Sequence, residues 1–149
     1  KRLSSFEKRR WEVKFRALMN LGFTHYQIND NLFFVHASFK KEMMLYKSKR
    51  ILPFELEKKA LFGSIKPKDD WDHTEIPAMS YSWIEEVPKD MTVFVGHEPK
   101  DFFKPTLMKN SVDSEIYFID TGSGKGGSLS SADLIHENGK FILKNFNSW

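Results

Sequence analysis

His36 and His97 each end an apolar, β-prone run and each open a loop: Leu32-Phe33-Phe34-Val35-His36-Ala37-Ser38, and Thr92-Val93-Phe94-Val95-Gly96-His97-Glu98-Pro99. A rigid sheet delivers side chains into a cleft at its strand ends, and neutral imidazole is the commonest protein ligand for transition metals. Two histidines so placed suggest half of a metal site. Each could instead be an ordinary hydrogen-bonded structural histidine, as His25 and His136 are taken to be.

The elements that must position this pair follow from the hydrophobic pattern. Ser4 or Ser5 can cap a helix running to about Asn20, with Phe6, Trp11, Phe15, Leu18 and Met19 as its apolar stripe and Gly22 just past its end. Residues 23–28 and 32–36 read as a β-hairpin about Asn29-Asp30-Asn31, leading to His36. A second helix spans 53–62, with Pro53 at its start and Gly63 behind it. Residues 66–77 are polar and predict a loop, 80–86 a short helix, and the run ending at His97 a strand. A further strand covers 115–120. After a glycine-rich turn, 128–135 and 140–146 form a closing hairpin about Glu137-Asn138-Gly139.

Composition bounds the rest. The chain has 149 residues, 40% hydrophobic and 15% aromatic, enough for the core of one domain. It has no cysteine, which excludes disulfides, thiolate zinc sites and a cysteine nucleophile. No apolar run approaches the roughly 20 residues of a membrane span, and no signal peptide opens the chain. A soluble, cytoplasmic protein with no membrane partner is expected. The net charge is +3, with Lys1, Arg2, Lys8, Arg9, Arg10, Lys14 and Arg16 crowding the start against Glu7 and Glu12. That cluster reads as a solvated helix face before it reads as a phosphate-binding surface. The chain opens on Lys1 without an initiator Met, so a processed or truncated piece of a longer protein is expected.

Gly122, Gly124 and Gly127 spell a dinucleotide fingerprint after a strand, but too little chain follows for the remaining βα units. A phosphate-binding P-loop also fails: Ile119 stands where its first glycine belongs, and Gly126 follows Lys125 in place of Ser or Thr. A tight turn that needs positive φ is the expected role of this stretch.

Three segments taken together carry a resemblance. Phe34-Val35-His36-Ala37, then Phe94-Val95-Gly96-His97-Glu98-Pro99, then Ile119-Asp120-Thr121-Gly122 running into Gly126-Gly127-Ser128-Leu129 resemble, in order and spacing, the later motifs of calcineurin-like metallophosphoesterases. The nearest branch holds phage-type protein phosphatases, dinucleoside tetraphosphatases and the phosphatase module of bacterial polynucleotide kinase-phosphatases. Ala60-Leu61-Phe62-Gly63 is also similar to a short segment of the last group.

The resemblance implies an α/β fold of four layers (α/β/β/α) with mixed sheets, of which residues 1–149 form one domain, the carboxy-terminal part. It implies a phosphoesterase that hydrolyses phosphomonoesters or nucleotides with two divalent metal ions, manganese first, iron or zinc as options. His36 and His97 match metal ligands of the family. Glu98 or Asp120 is placed to orient a histidine, or is a solvated loop carboxylate. The implied partner is a phosphorylated substrate: a phosphoprotein, a nucleotide or a nucleic-acid end.

The chain also departs from the family. The aspartate-x-histidine, glycine-aspartate-x-x-aspartate-arginine-glycine and glycine-asparagine-histidine-glutamate motifs of the family's first half are absent. Ser38 replaces a glycine, Glu98 a threonine, and Lys125 enters the glycine loop. No arginine follows Arg50 to grip phosphate, leaving Lys66, Lys68 or His73 as candidates, or as solvated loop residues. The alternative is a non-catalytic phosphate- or protein-binding module of the same descent. Oligomeric state is not encoded in any of these patterns.

Overall fold

The computed structural model describes residues 4–47, 51–66 and 79–149. It is a mixed α/β fold built on one five-stranded sheet of order β1-β2-β5-β7-β6, with two small two-stranded sheets beside it. Helix α1 is Ser5–Leu21. Strands β1 (His25–Ile28) and β2 (Leu32–Val35) form the expected hairpin, with Asn29 at φ 54° in its turn. Helix α2 is Phe54–Phe62, and it stops at Gly63, whose φ is 77°.

Strands β5 (Thr92–Val95) and β7 (Glu115–Phe118) continue the sheet, each parallel to its neighbour: β2 beside β5, and β5 beside β7. Their register sets Val35, Val95 and Phe118 in one row. The three runs are short and apolar because the sheet is covered on both faces over most of its centre. One face carries Phe33, Val35, Val93, Val95, Ile116 and Phe118 into the main core, where Phe39, Met43, Trp83 and Met91 close over them. The other face carries Leu32, Phe94 and Tyr117, against which Leu134, Phe141 and Phe146 of a hairpin pack. That hairpin is β8 (Ser130–Glu137) with β9 (Lys140–Ser148), and its turn has Asn138 at φ 50° and Gly139 at φ 78°, the two positive angles of a type I′ turn.

Several elements differ from the sequence expectation. Strand β6 (Thr106–Lys109) pairs antiparallel with β7 at the sheet edge and was not expected. Pro105 before it and lysines at 104 and 109 conceal a strand whose residues alternate between half-buried and exposed, as an edge strand does. A 3₁₀ turn at Lys41–Tyr46, which buries Met43, also went unassigned. Ser80 belongs to a two-residue ladder of β3 (Ser64–Ile65) with β4 (Met79–Ser80), so the short helix is a 3₁₀ turn at Ser82–Glu86. Within 66–77 only Lys66 is described, and Lys68 and His73 lie outside the described residues.

Ser4 caps α1 with a capping box: Glu7 N–H donates to Ser4 Oγ at 3.3 Å, and Ser4 N–H donates to Glu7 Oε2 at 2.8 Å. Three members of its apolar stripe, Phe6, Trp11 and Phe15, are each at least 60% exposed. No described helix is long and apolar enough to cross a membrane.

Candidate metal centre

Because β2, β5 and β7 are parallel neighbours, their carboxy-terminal ends lie side by side. His36 follows β2, Gly96 and His97 follow β5, and Ile119 and Asp120 follow β7. The ladder continues just past the strands, with Gly96 N–H donating to the His36 carbonyl at 2.9 Å and Ile119 N–H to that of Val95 at 2.8 Å. Ligands in open α/β sheets collect at such an edge.

The two histidines meet there. His97 Nδ1 stands 3.1 Å from His36 Nε2, with ring centroids 5.0 Å apart and planes at 77°. Two nitrogens each about 2.1 Å from one ion are separated by about 3.0 Å at a right angle and about 3.4 Å at the tetrahedral angle. The observed separation falls between these limits, so the distance by itself matches two ligands of one ion. The same distance also accommodates a single hydrogen bond from one ring to the other. Desolvation holds the His36 imidazole below its ordinary value, His97 adds to this, and the charge of Asp120 opposes it. A depressed value leaves His36 neutral, the form that binds a cation.

Each histidine is held from behind by its own loop. After His36, Ala37 N–H donates to the Ala60 carbonyl at 2.8 Å, and the buried Ser38 Oγ donates to the Lys59 carbonyl at 2.8 Å. The Ala60 carbonyl, one that a helix end leaves open, is thereby satisfied, the Lys59 carbonyl accepts Ser38 in addition to the Gly63 N–H, and the β2 exit is strapped to the last turn of α2. This gives Ser38 a structural use at the position where the resembling family has glycine. His97 is held differently. Its φ is 69°, and Glu98 N–H donates to the Gly96 carbonyl at 2.8 Å, so His97 is the apex of a γ-turn of the rare positive-φ kind. A non-glycine residue in that conformation is strained, and such strain gathers at functional sites.

The carboxylates are engaged as follows. Asp120 Oδ1 accepts the Gly122 N–H at 2.8 Å, and its charge reaches His36. Glu98 accepts from the Tyr81 hydroxyl and pairs with Lys100 Nζ at 3.1 Å. Burial pushes the Glu98 carboxyl up, but the bonds from Tyr81 and Lys100 and the charges of Lys100 and His97 outweigh it, leaving a net lowering. Lys66 is exposed and directly follows β3. Tyr81 and Lys100 were not singled out by sequence. Lys100 carried a signal in its place three residues after His97, whereas Tyr81 carried none.

The glycine stretch after Asp120 is a turn, as its pattern suggested. Gly122 and Gly126 have φ of 68° and 92°, and Gly127 N–H donates to the Gly122 carbonyl at 2.9 Å. Among the described residues no group of three His, Asp or Glu side chains is placed to hold an ion. The chain matches no protein-family model and no curated protein.

Proposed function

We propose that this chain is the second half of a calcineurin-like metallophosphoesterase sandwich and hydrolyses a phosphomonoester or nucleotide. The observation that carries the reading is the approach of His36 Nε2 and His97 Nδ1 to 3.1 Å at the ends of two parallel strands. His36 and His97 would hold one ion, manganese first with iron or zinc as options, and Asp120 sets the charge beside them. When bound, a metal pair in such a site clamps phosphoryl oxygens and supplies an activated water for in-line attack.

Further support comes from the sheet face beside the site. The β8–β9 hairpin covers Leu32, Phe94 and Tyr117, but Tyr26, next to Phe34 in the ladder, is 45% exposed. A cavity of about 300 Å³ lined by Tyr26, Phe34, Phe94, Ile119 and His36 opens there. An apolar face of this kind suits a second sheet layer packed on the first, and that layer would bring the acidic ligands that complete the site.

Metal content and hydrolysis of a phosphopeptide, a dinucleoside polyphosphate and a 3′-phosphorylated oligonucleotide test the reading on the natural full-length protein. Manganese-dependent hydrolysis that vanishes in His36→Ala and His97→Ala, together with the bound metal, is the expected result. Unchanged metal content in the double variant overturns it. A second reading, a non-catalytic phosphate- or protein-binding module, draws on the two-member ligand set among the described residues. It expects phosphate binding with no turnover.

A further inference from the structure

The positive-φ turn at His97 needs support, because a conformation that costs about 1–3 kcal/mol persists only where its surroundings over-determine it. Three restraints act on the residue that follows the apex. Pro99 confines the Glu98 backbone to extended conformations. The Tyr81 hydroxyl donates to Glu98 Oε2, and Lys100 Nζ donates to the Tyr81 hydroxyl oxygen. Lys100 also pairs with Glu98 Oε1 at 3.1 Å and closes a three-membered ring of contacts.

This ring is anchored in the core. Lys100 Nζ lies 3.8 Å from the Tyr81 ring centroid and 5.5 Å from that of Phe118, and its side chain is only 17% exposed. Tyr81 packs edge-on to Phe118 at 5.9 Å, and Phe118 is the last residue of β7. Desolvation and the Glu98 carboxylate both raise the Tyr81 phenol, so it stays a hydrogen-bond donor.

We propose that Tyr81, Glu98 and Lys100 form a clamp that holds the γ-turn at His97 and so pre-sets its imidazole against His36. These are positioning residues, since they act on His97 through the backbone of Glu98. The consequence for an ion rests on the metal reading above, whereas the ring-to-ring placement does not. Lys100 therefore has a task other than gripping phosphate, since its ammonium is already shared between a carboxylate, a phenol oxygen and two aromatic faces.

Two variants remove the polar links and keep the packing: Tyr81→Phe retains the ring, and Lys100→Met retains the stem over it. In metal-free protein, nuclear Overhauser contacts between the His36 and His97 rings report the placement. Titration with Co²⁺, followed by its visible absorption, reports the affinity of the pair. The expected result is weakened ring-to-ring contacts in both variants with the remaining spectrum unchanged, and cobalt affinity lower by about 10-fold to 100-fold, the usual cost of losing a partner behind a metal ligand. Ring contacts equal to those of the unaltered protein in both variants overturn the clamp. Loss of ring contacts in the variants, with no cobalt bound by the unaltered protein, upholds the clamp and overturns the metal reading. Should one variant unfold, the other decides.

Discussion

Gly127 lies so close to Thr121 that a Cβ on the glycine would stand 1.8 Å from the Thr121 carbonyl oxygen. The loop between them is drawn tight by Thr121 Oγ1, which donates to the Ser128 carbonyl at 2.6 Å, and by the Asp120 bond to Gly122 N–H. The glycines here are thus of two kinds: Gly122 and Gly126 supply backbone angles, and Gly127 supplies room.

Gly127→Ala should destabilise the fold by about 3 kcal/mol, because a rigid carbonyl has to move. Gly124→Ala, where an added Cβ meets nothing within 4 Å, should change stability by less than about 0.5 kcal/mol. Urea unfolding of the two variants checks the contrast. Equal midpoints would show that the loop relaxes freely and that Asp120 is not fixed by it.

Asn110 is buried and fully used. Its Nδ2 donates to the carbonyls of Ile84 and Val87 at 3.1 and 2.8 Å, and its Oδ1 accepts the N–H groups of Val112 and Ser114 at 3.2 and 2.9 Å. It ties the 3₁₀ turn at Ser82–Glu86 to the bend between β6 and β7. Asn110→Ala removes these four bonds, of whose backbone groups the Ile84 carbonyl keeps the Val87 N–H, and should cost about 3 kcal/mol in unfolding free energy. A loss below about 1 kcal/mol would mean that water replaces the side chain.

His25 is buried and stacked on Phe33 with centroids 5.4 Å apart, and desolvation lowers its pKa from the ordinary 6.5. The folded chain then binds its proton less tightly than the unfolded chain. Its contribution to stability is complete above about pH 6.5 and is lost as the pH falls from there through the lowered folded value. His36 shifts in the same direction. Denaturation midpoints should fall between pH 7 and pH 5, and His25→Asn should flatten the decline. A slope unchanged by that substitution would exclude His25 as a source.

On helix α1, Phe6, Trp11, Val13, Phe15 and Leu21 are all more than half exposed, so these side chains contribute little packing. Removing residues 1–21 should leave the thermal midpoint within about 2 °C of the unaltered protein, because surface changes away from packed features seldom exceed about 0.5 kcal/mol. A large drop would reveal packing by the helix.

Much of the layout was legible from residue patterns alone. The helix at Ser5–Leu21, the β1–β2 hairpin, the helix ending before Gly63 and the Asn138-Gly139 turn all follow from local rules about caps, alternation and positive φ, which act over a few residues. The edge strand β6 was not legible, since an edge strand buries too little to mark its period and is defined by its partner β7. The same limit governs the site. Sequence nominated His36 and His97 by type and by their places at the ends of apolar runs, and Glu98 and Asp120 through the resemblance of the segments that hold them. Only the parallel order β2-β5-β7 brought three strand ends together and set two imidazole nitrogens 3.1 Å apart across 61 residues of chain. Tyr81 was assigned to Glu98 by tertiary structure alone, because side chains remote in sequence meet through packing of the whole sheet and its cover, which no local pattern records.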